Sequence, residues 1–216
     1  GEADVISSDA TWEAQTITND VQIESGVTVT VNGTITIDGE VTISGGGTIA
    51  RGSNSAYFSI GSGDSLTLDG VTVDGKSISS FNSMFTVNSG TLDIENSTIQ
   101  NCVKNNTRGG AINMDSGTLI IENTTIKDCS ATGYGGAIYL RDGANATIKS
   151  GTFSGNKTTS TTSPYGGGFL YNRSTLTIES GTFLNNSSAG KGGAIYNAGT
   201  SGTEAYILGG IFEDNT

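Results

Sequence analysis

A period of 26 to 30 residues, three short strand-like runs in each period, and Leu or Ile at the same offset of successive copies predict an all-β chain. The architecture that satisfies all three is a right-handed parallel β-helix, a single solenoid with three short strands per rung. In such a solenoid each rung pairs with the next at about 4.8 Å and equivalent side chains stack. No run has helical length, and the runs are separated by Gly, Asn, Ser and Asp, as turns require.

The elements follow in chain order. Residues 1–20 are read as an N-terminal cap or first strands, with Val5 to Thr18, including Trp12, covering the end of the solenoid, because an open first rung is an aggregation edge. Residues 21–216 are read as the β-helix, a fragment of a longer chain. The stretch "VQIESGVTVTVNGTITIDGEVTISGGGTIARG" (21–52) alternates Val or Ile with Thr between "SG", "NG" and "DG" turns, the text of opening rungs. Residues 65–90 read as a further copy. Regular units then begin at Thr91, Thr118, Asn145 and Thr175, and a fifth starts at Glu204. In the unit from Thr118, alternation turns Leu119, Ile121, Ile126, Ile138 and Leu140 inward, and the shared offset places Leu92, Leu119 and Leu176 in one column.

Composition excludes several functions. Ten basic residues are scattered among 21 acidic ones, for a net charge of -11, so a nucleic-acid partner is not expected. No apolar run approaches 18 residues, so no transmembrane segment is expected, and no signal peptide is visible. Both ends read as continuing into neighbouring domains. Histidine is absent, which removes His-based catalysis and His metal ligands, and no metal or other cofactor is expected.

Four glycine pairs recur before the third strand: Gly109–Gly110, Gly135–Gly136, Gly167–Gly168 and Gly192–Gly193. Each follows a loop of variable length. A phosphate cradle would need a helix N-terminus next to it, and none follows. The pairs are therefore structural, swinging the chain back onto the sheet where positive φ and close backbone approach are needed.

Repeats of "GGAI", as in "RGGAIN" (108–113), "YGGAIYL" (134–140) and "KGGAIYN" (191–197), accompany "FSGN" (153–156), "FLNN" (183–186) and "FEDN" (212–215). Over roughly residues 91–216 this pairing of GGAI with FxxN resembles the passengers of polymorphic outer membrane proteins and related bacterial adhesin-like β-helix proteins. The resemblance implies a secreted, surface-displayed passenger engaged in adhesion, with a host-cell or microbial surface ligand, such as a glycan, as partner. Two units depart from the pattern, carrying "IQNC" and "IKDC" instead.

Three constellations are candidates for chemistry. Parallel β-helices also host polysaccharide lyases and glycoside hydrolases, and the acids to weigh are Asp64, Asp69, Asp74 and Asp93 with Arg51 or Lys76 as base; they are dispersed among "LDG" and "VDG" turns, where Asp is favoured for local bonding. Cys102 and Cys129 occupy one position of consecutive rungs, where later rungs carry Asn156, Asn186 and Asn215. They are read as a stacked pair of buried thiols, with a disulfide as the alternative, and the asparagines as a hydrogen-bonded ladder. Tyr139, Tyr171 and Tyr196 take the parity opposite to the inward aliphatics, so they should point outward, with Phe169 on the same face. Such a strip is the ligand-binding candidate, able to stack on sugar rings. Nine Asn-x-Ser/Thr sequons, among them Asn96, Asn123 and Asn156, follow from the Asn- and Thr-rich composition. Ice binding through a threonine array is a weaker alternative, broken by Asp93 and Ile120 in the outward column. The leading expectation is an extracellular, non-catalytic adhesin or stalk domain.

Overall fold

The computed structural model describes residues 1–216 and contains strands and turns but no helix. Strands of successive rungs pair in parallel, building two nine-stranded sheets, an eight-stranded sheet and a five-stranded sheet along one axis. This is a parallel β-helix of the right-handed type. The first sheet includes Asp4–Ile6, Val21–Ile23, Glu40–Ser44, Ser65–Asp69, Gly90–Glu95 and Gly117–Glu122, and ends at Glu204–Ile207.

The register matches the repeat. Leu66 pairs with Leu92, Leu92 with Leu119, and Leu119 with Ala146, which pairs with Leu176. All five side chains are buried, as are Ile121, Ile126, Ile138 and Leu140. One apolar core of 46 residues runs through the solenoid. In the second sheet its column passes from Ile126 to Phe153, Phe183 and Phe212, whose rings stack at 5.0 and 4.5 Å between centroids.

Two features of the rungs go beyond the repeat. Of the two readings of the N-terminal segment, cap or first strands, residues 4–17 take the second: Asp4–Ile6, Ala10–Trp12 and Gln15–Ile17 each pair with the next rung. A fourth strand per rung also appears from Ser79–Ser80 onward. Its members are two residues long, too short to show a period of two, and their pairing is created by the rungs on either side.

The asparagine ladder lies at the corner after the second sheet. Asn156 Nδ2 donates to Asn186 Oδ1 and to the Ile126 carbonyl, both at 3.0 Å, and Asn186 Oδ1 accepts the Asn156 amide at 3.1 Å. Asn186 repeats the arrangement with Asn215, and Asn156 Oδ1 accepts the Cys129 amide at 3.0 Å. Each side chain thus satisfies backbone groups that the turn takes out of the sheet ladder. Below it, Cys102 and Cys129 are buried and unbonded to each other.

The glycine pairs are explained in two different ways. Gly135 has φ +72°, and Gly109, Gly167 and Gly192 repeat that left-handed value closely. The second glycine needs space instead: a Cβ on Gly136 would strike the Gly168 carbonyl oxygen and come within 2.5 Å of the Lys157 oxygen. The first three pairs also open a bulge. The amides of Ala137 and Ile138 both donate to the Phe169 carbonyl at 2.9 Å, so two consecutive residues oppose one.

Leu119→Ala should cost about 2–5 kcal/mol, measured by chemical denaturation, whereas Ile120→Thr on the outer face should stay within about 0.5 kcal/mol. Gly136→Ala should destabilise by more than the roughly 1 kcal/mol of ordinary backbone strain, because backbone atoms block the new methyl. Cys102 and Cys129 should be unreactive toward a thiol reagent in the native protein and titrate as two groups in denaturant.

Candidate tyrosine face

The third sheet carries the candidate site on its outer side. Asn113 pairs with Tyr139, Tyr139 with Tyr171, and Tyr171 with Tyr196, giving one outward column over four rungs. The tyrosines are separate from the solenoid core, as their parity requires. They are not open to solvent: Tyr139 is 1% and Tyr171 3% exposed, while Tyr196 is half-buried. This corrects the exposed strip expected from alternation.

The cover comes from loops that precede the glycine pairs. Tyr134 packs on Tyr139 at 5.6 Å and edge-on against Tyr171 at 4.8 Å, and Tyr165 meets Tyr134 edge-on at 4.8 Å. Tyr171 stacks on Tyr196 at 4.9 Å. Gly166 lets the neighbouring backbone approach, since a Cβ there would strike the Lys191 carbonyl oxygen, and it would also lie 3.2 Å from the Tyr196 ring. Edge-to-face and offset contacts of this kind add to the burial energy of the rings. The strip is a second, outer core that pins the loops to the sheet.

Phe169 does not belong to it. Its ring lies inside the solenoid, 4.7 Å from Phe153 and 5.7 Å from Phe183. Phe169 stands where other rungs have Ala111, Ala137 or Ala194, and the bulge after the glycine pair turns it inward together with Leu170. Strict alternation fails across that bulge.

Cationic groups border the tyrosines. The Arg108 guanidinium lies 5.6 Å above the Tyr139 ring, and Lys104 Nζ donates to the Arg108 carbonyl. Burial, then the Arg108 charge, pull the Lys104 ammonium down to about 8. On the opposite side Arg141 reaches Asp115 at 3.8 Å and Arg173 reaches Asp142 at 3.3 Å, and the neighbouring Tyr139 foremost, with the Asp142 charge, holds the Arg173 guanidinium above its ordinary range. Two buried polar atoms here lack a partner, Arg173 Nε and Asn113 Oδ1. Burial foremost pushes the Tyr171 phenol up to about 12.

The acids named from the sequence do not converge. Asp64 accepts the Gly39 amide, Asp69 accepts from Asn96, and Asp74 accepts from the Lys76 amide, Gln100 and Asn101. Burial raises the Asp74 carboxyl, but these bonds outweigh it and hold the group below its ordinary range. Asp93 stays on the outer face of the first sheet, pushed up by burial. Arg51 is inside the solenoid, 2% exposed, donating to the Ala56 and Asn82 carbonyls, where no external substrate reaches it. The two surface pockets lie around Trp12 and Glu2 at the first rung, away from the tyrosines.

Tyr134, Tyr165, Arg108 and Arg173 were missed by sequence reasoning because they sit in loops and turns without a period. The position before each glycine pair was the available hint, since at two of the four, Arg108 and Tyr134, a large side chain overhangs the third sheet.

Residues 27–162 match the family described as Domain of unknown function (DUF4957), which covers more than half of the chain. The chain belongs to the DUF4957 family. Residues 180–198 of this DUF4957 protein also match the Chlamydia polymorphic membrane protein repeat, a segment that spans Phe183–Asn186 and the Gly192–Gly193 pair. Comparison with curated proteins and with solved structures found no match.

Tyr171→Ala should destabilise the protein by about 3–5 kcal/mol, the cost of emptying a buried aromatic site, when measured by thermal or chemical unfolding. The Tyr171 phenol holds its proton to about 12 in the fold but to 10.0 when unperturbed, so its stabilisation is complete below pH 10 and disappears as pH rises through 12. Ultraviolet titration should find a late-ionising tyrosine that Tyr171→Phe removes.

Proposed function

We propose that this protein is a secreted or surface-displayed, non-catalytic β-helix domain, an adhesin or stalk, that binds a host or microbial surface ligand through the outer face of its third sheet. The observation that carries the reading is the tyrosine layer with its cationic border, built across consecutive rungs outside the core. The likeness of residues 180–198 to a Chlamydia polymorphic membrane protein repeat supports an outer-membrane or surface association. The non-catalytic reading is supported by the dispersal of Asp64, Asp69 and Asp74 into turn hydrogen bonds and by the interior position of Arg51.

A glycan array probed with the purified chain, run beside reducing-sugar and unsaturated-product assays, tests both halves. Binding without product is expected, and Tyr165→Ala, a half-buried residue at the rim, should weaken it while the melting temperature shifts little. Release of product would overturn the non-catalytic reading.

A further inference from the structure

We infer that the tyrosine face takes a glycan carrying one or a few carboxylates on an otherwise neutral sugar chain. This rests on the binding reading above and names its ligand class.

The charge distribution is the first ground. Lys104, Arg108, Arg141, Arg173 and Lys191 are half of the ten basic residues and gather around this face; Arg108, Arg141 and Arg173 are every arginine except the interior Arg51. Their acidic partners here are Asp115 and Asp142. The face is therefore locally about +3, while the remainder of the chain sums to about -14. An isolated carboxylate is attracted to such a spot. A densely charged polymer, extending past it, meets an acidic solenoid on either side and is repelled.

Unused hydrogen-bonding capacity is the second ground. Arg173 Nε is buried and has no partner, although the same guanidinium pairs with Asp142. The Arg173 side chain is still 35% exposed, so an arriving carboxylate reaches the guanidinium through its exposed edge, whose planar geometry suits that group. At the other end of the same column Asn113, 8% exposed, holds an unpaired Oδ1, an acceptor for a hydroxyl donor. One end of the face lacks an acid and the other lacks a donor. A sugar chain with a carboxylate and free hydroxyls offers both, and the half-buried rings of Tyr134, Tyr165 and Tyr196 offer apolar edges for its ring faces.

The shape argues against a peptide. Peptide recognition needs either a free sheet edge or pockets for alternate side chains. The third sheet presents its face here, and the surface pockets lie at the first rung.

The test is calorimetric titration of the full chain with four probes: a neutral hexose tetrasaccharide, the same tetrasaccharide ending in one uronic acid, a long polyuronate and poly-glutamate. The singly acidic tetrasaccharide should bind at least about tenfold more tightly than the neutral one, and added salt should erase the difference. Arg173→Gln should reduce it to the neutral value; Arg141→Gln, at an exposed position, should do so in part and covers the case in which Arg173→Gln fails to fold. Equal binding of neutral and acidic sugars would overturn the ligand class and leave the binding reading standing. Polyuronate or poly-glutamate binding as tightly as the singly acidic sugar would also overturn it, as would acidic-sugar binding unchanged in both arginine variants. If no sugar binds at all, the binding reading falls with it.

Discussion

In-register parallel stacking of rungs is the constraint on which the rest of this molecule depends. Once one rung pairs with the next, every position is copied along the axis, and a residue tolerated once must be tolerated several times over. Aliphatic and aromatic side chains meet that condition easily, which is why Leu66, Leu92, Leu119 and Leu176 share one column and Phe153, Phe183 and Phe212 another. Asparagine meets it because each amide carries both a donor and an acceptor, so Asn156, Asn186 and Asn215 satisfy one another and the turn backbone at once.

Charges obey the same rule less comfortably. Asp69, Glu95 and Glu122 are neighbours in register on the first sheet; burial and then the carboxylates of Asp69, Asp93 and Glu122 push the Glu95 carboxyl up. Arginines stacked after the third sheet avoid that cost by pairing with acids, Arg141 with Asp115 and Arg173 with Asp142. Cations are thus concentrated where aromatic rings and two aspartates can hold them, and the candidate site inherits its chemistry from the way the solenoid accommodates stacked charge.

Part of this was legible in the sequence. The repeat, the inward columns, the corner asparagines and the structural role of the glycine pairs follow from spacing, because a solenoid converts sequence period directly into spatial neighbours. Tyr139, Tyr171 and Tyr196 were readable as one outward column for the same reason. Phe169 was misassigned because the bulge beside Gly167 and Gly168 puts two consecutive side chains on one face, an event that alternation cannot represent. The burial of the tyrosines was invisible because Tyr134 and Tyr165 reach them from loops whose lengths change from rung to rung.

The sequence by itself determined which residues become neighbours along the axis: one offset, repeated, specifies fold, core and ladder. Tertiary structure alone decided what lies across the axis and over the sheets. It placed Arg51 in the interior, folded Tyr134 over Tyr139 and Tyr171, and left Arg173 Nε and Asn113 Oδ1 unpaired on one face. The physical reason is that stacking is governed by a period, which a linear chain records. Loop paths are governed by packing and charge between segments without a period, and those forces act only once the rungs are in place.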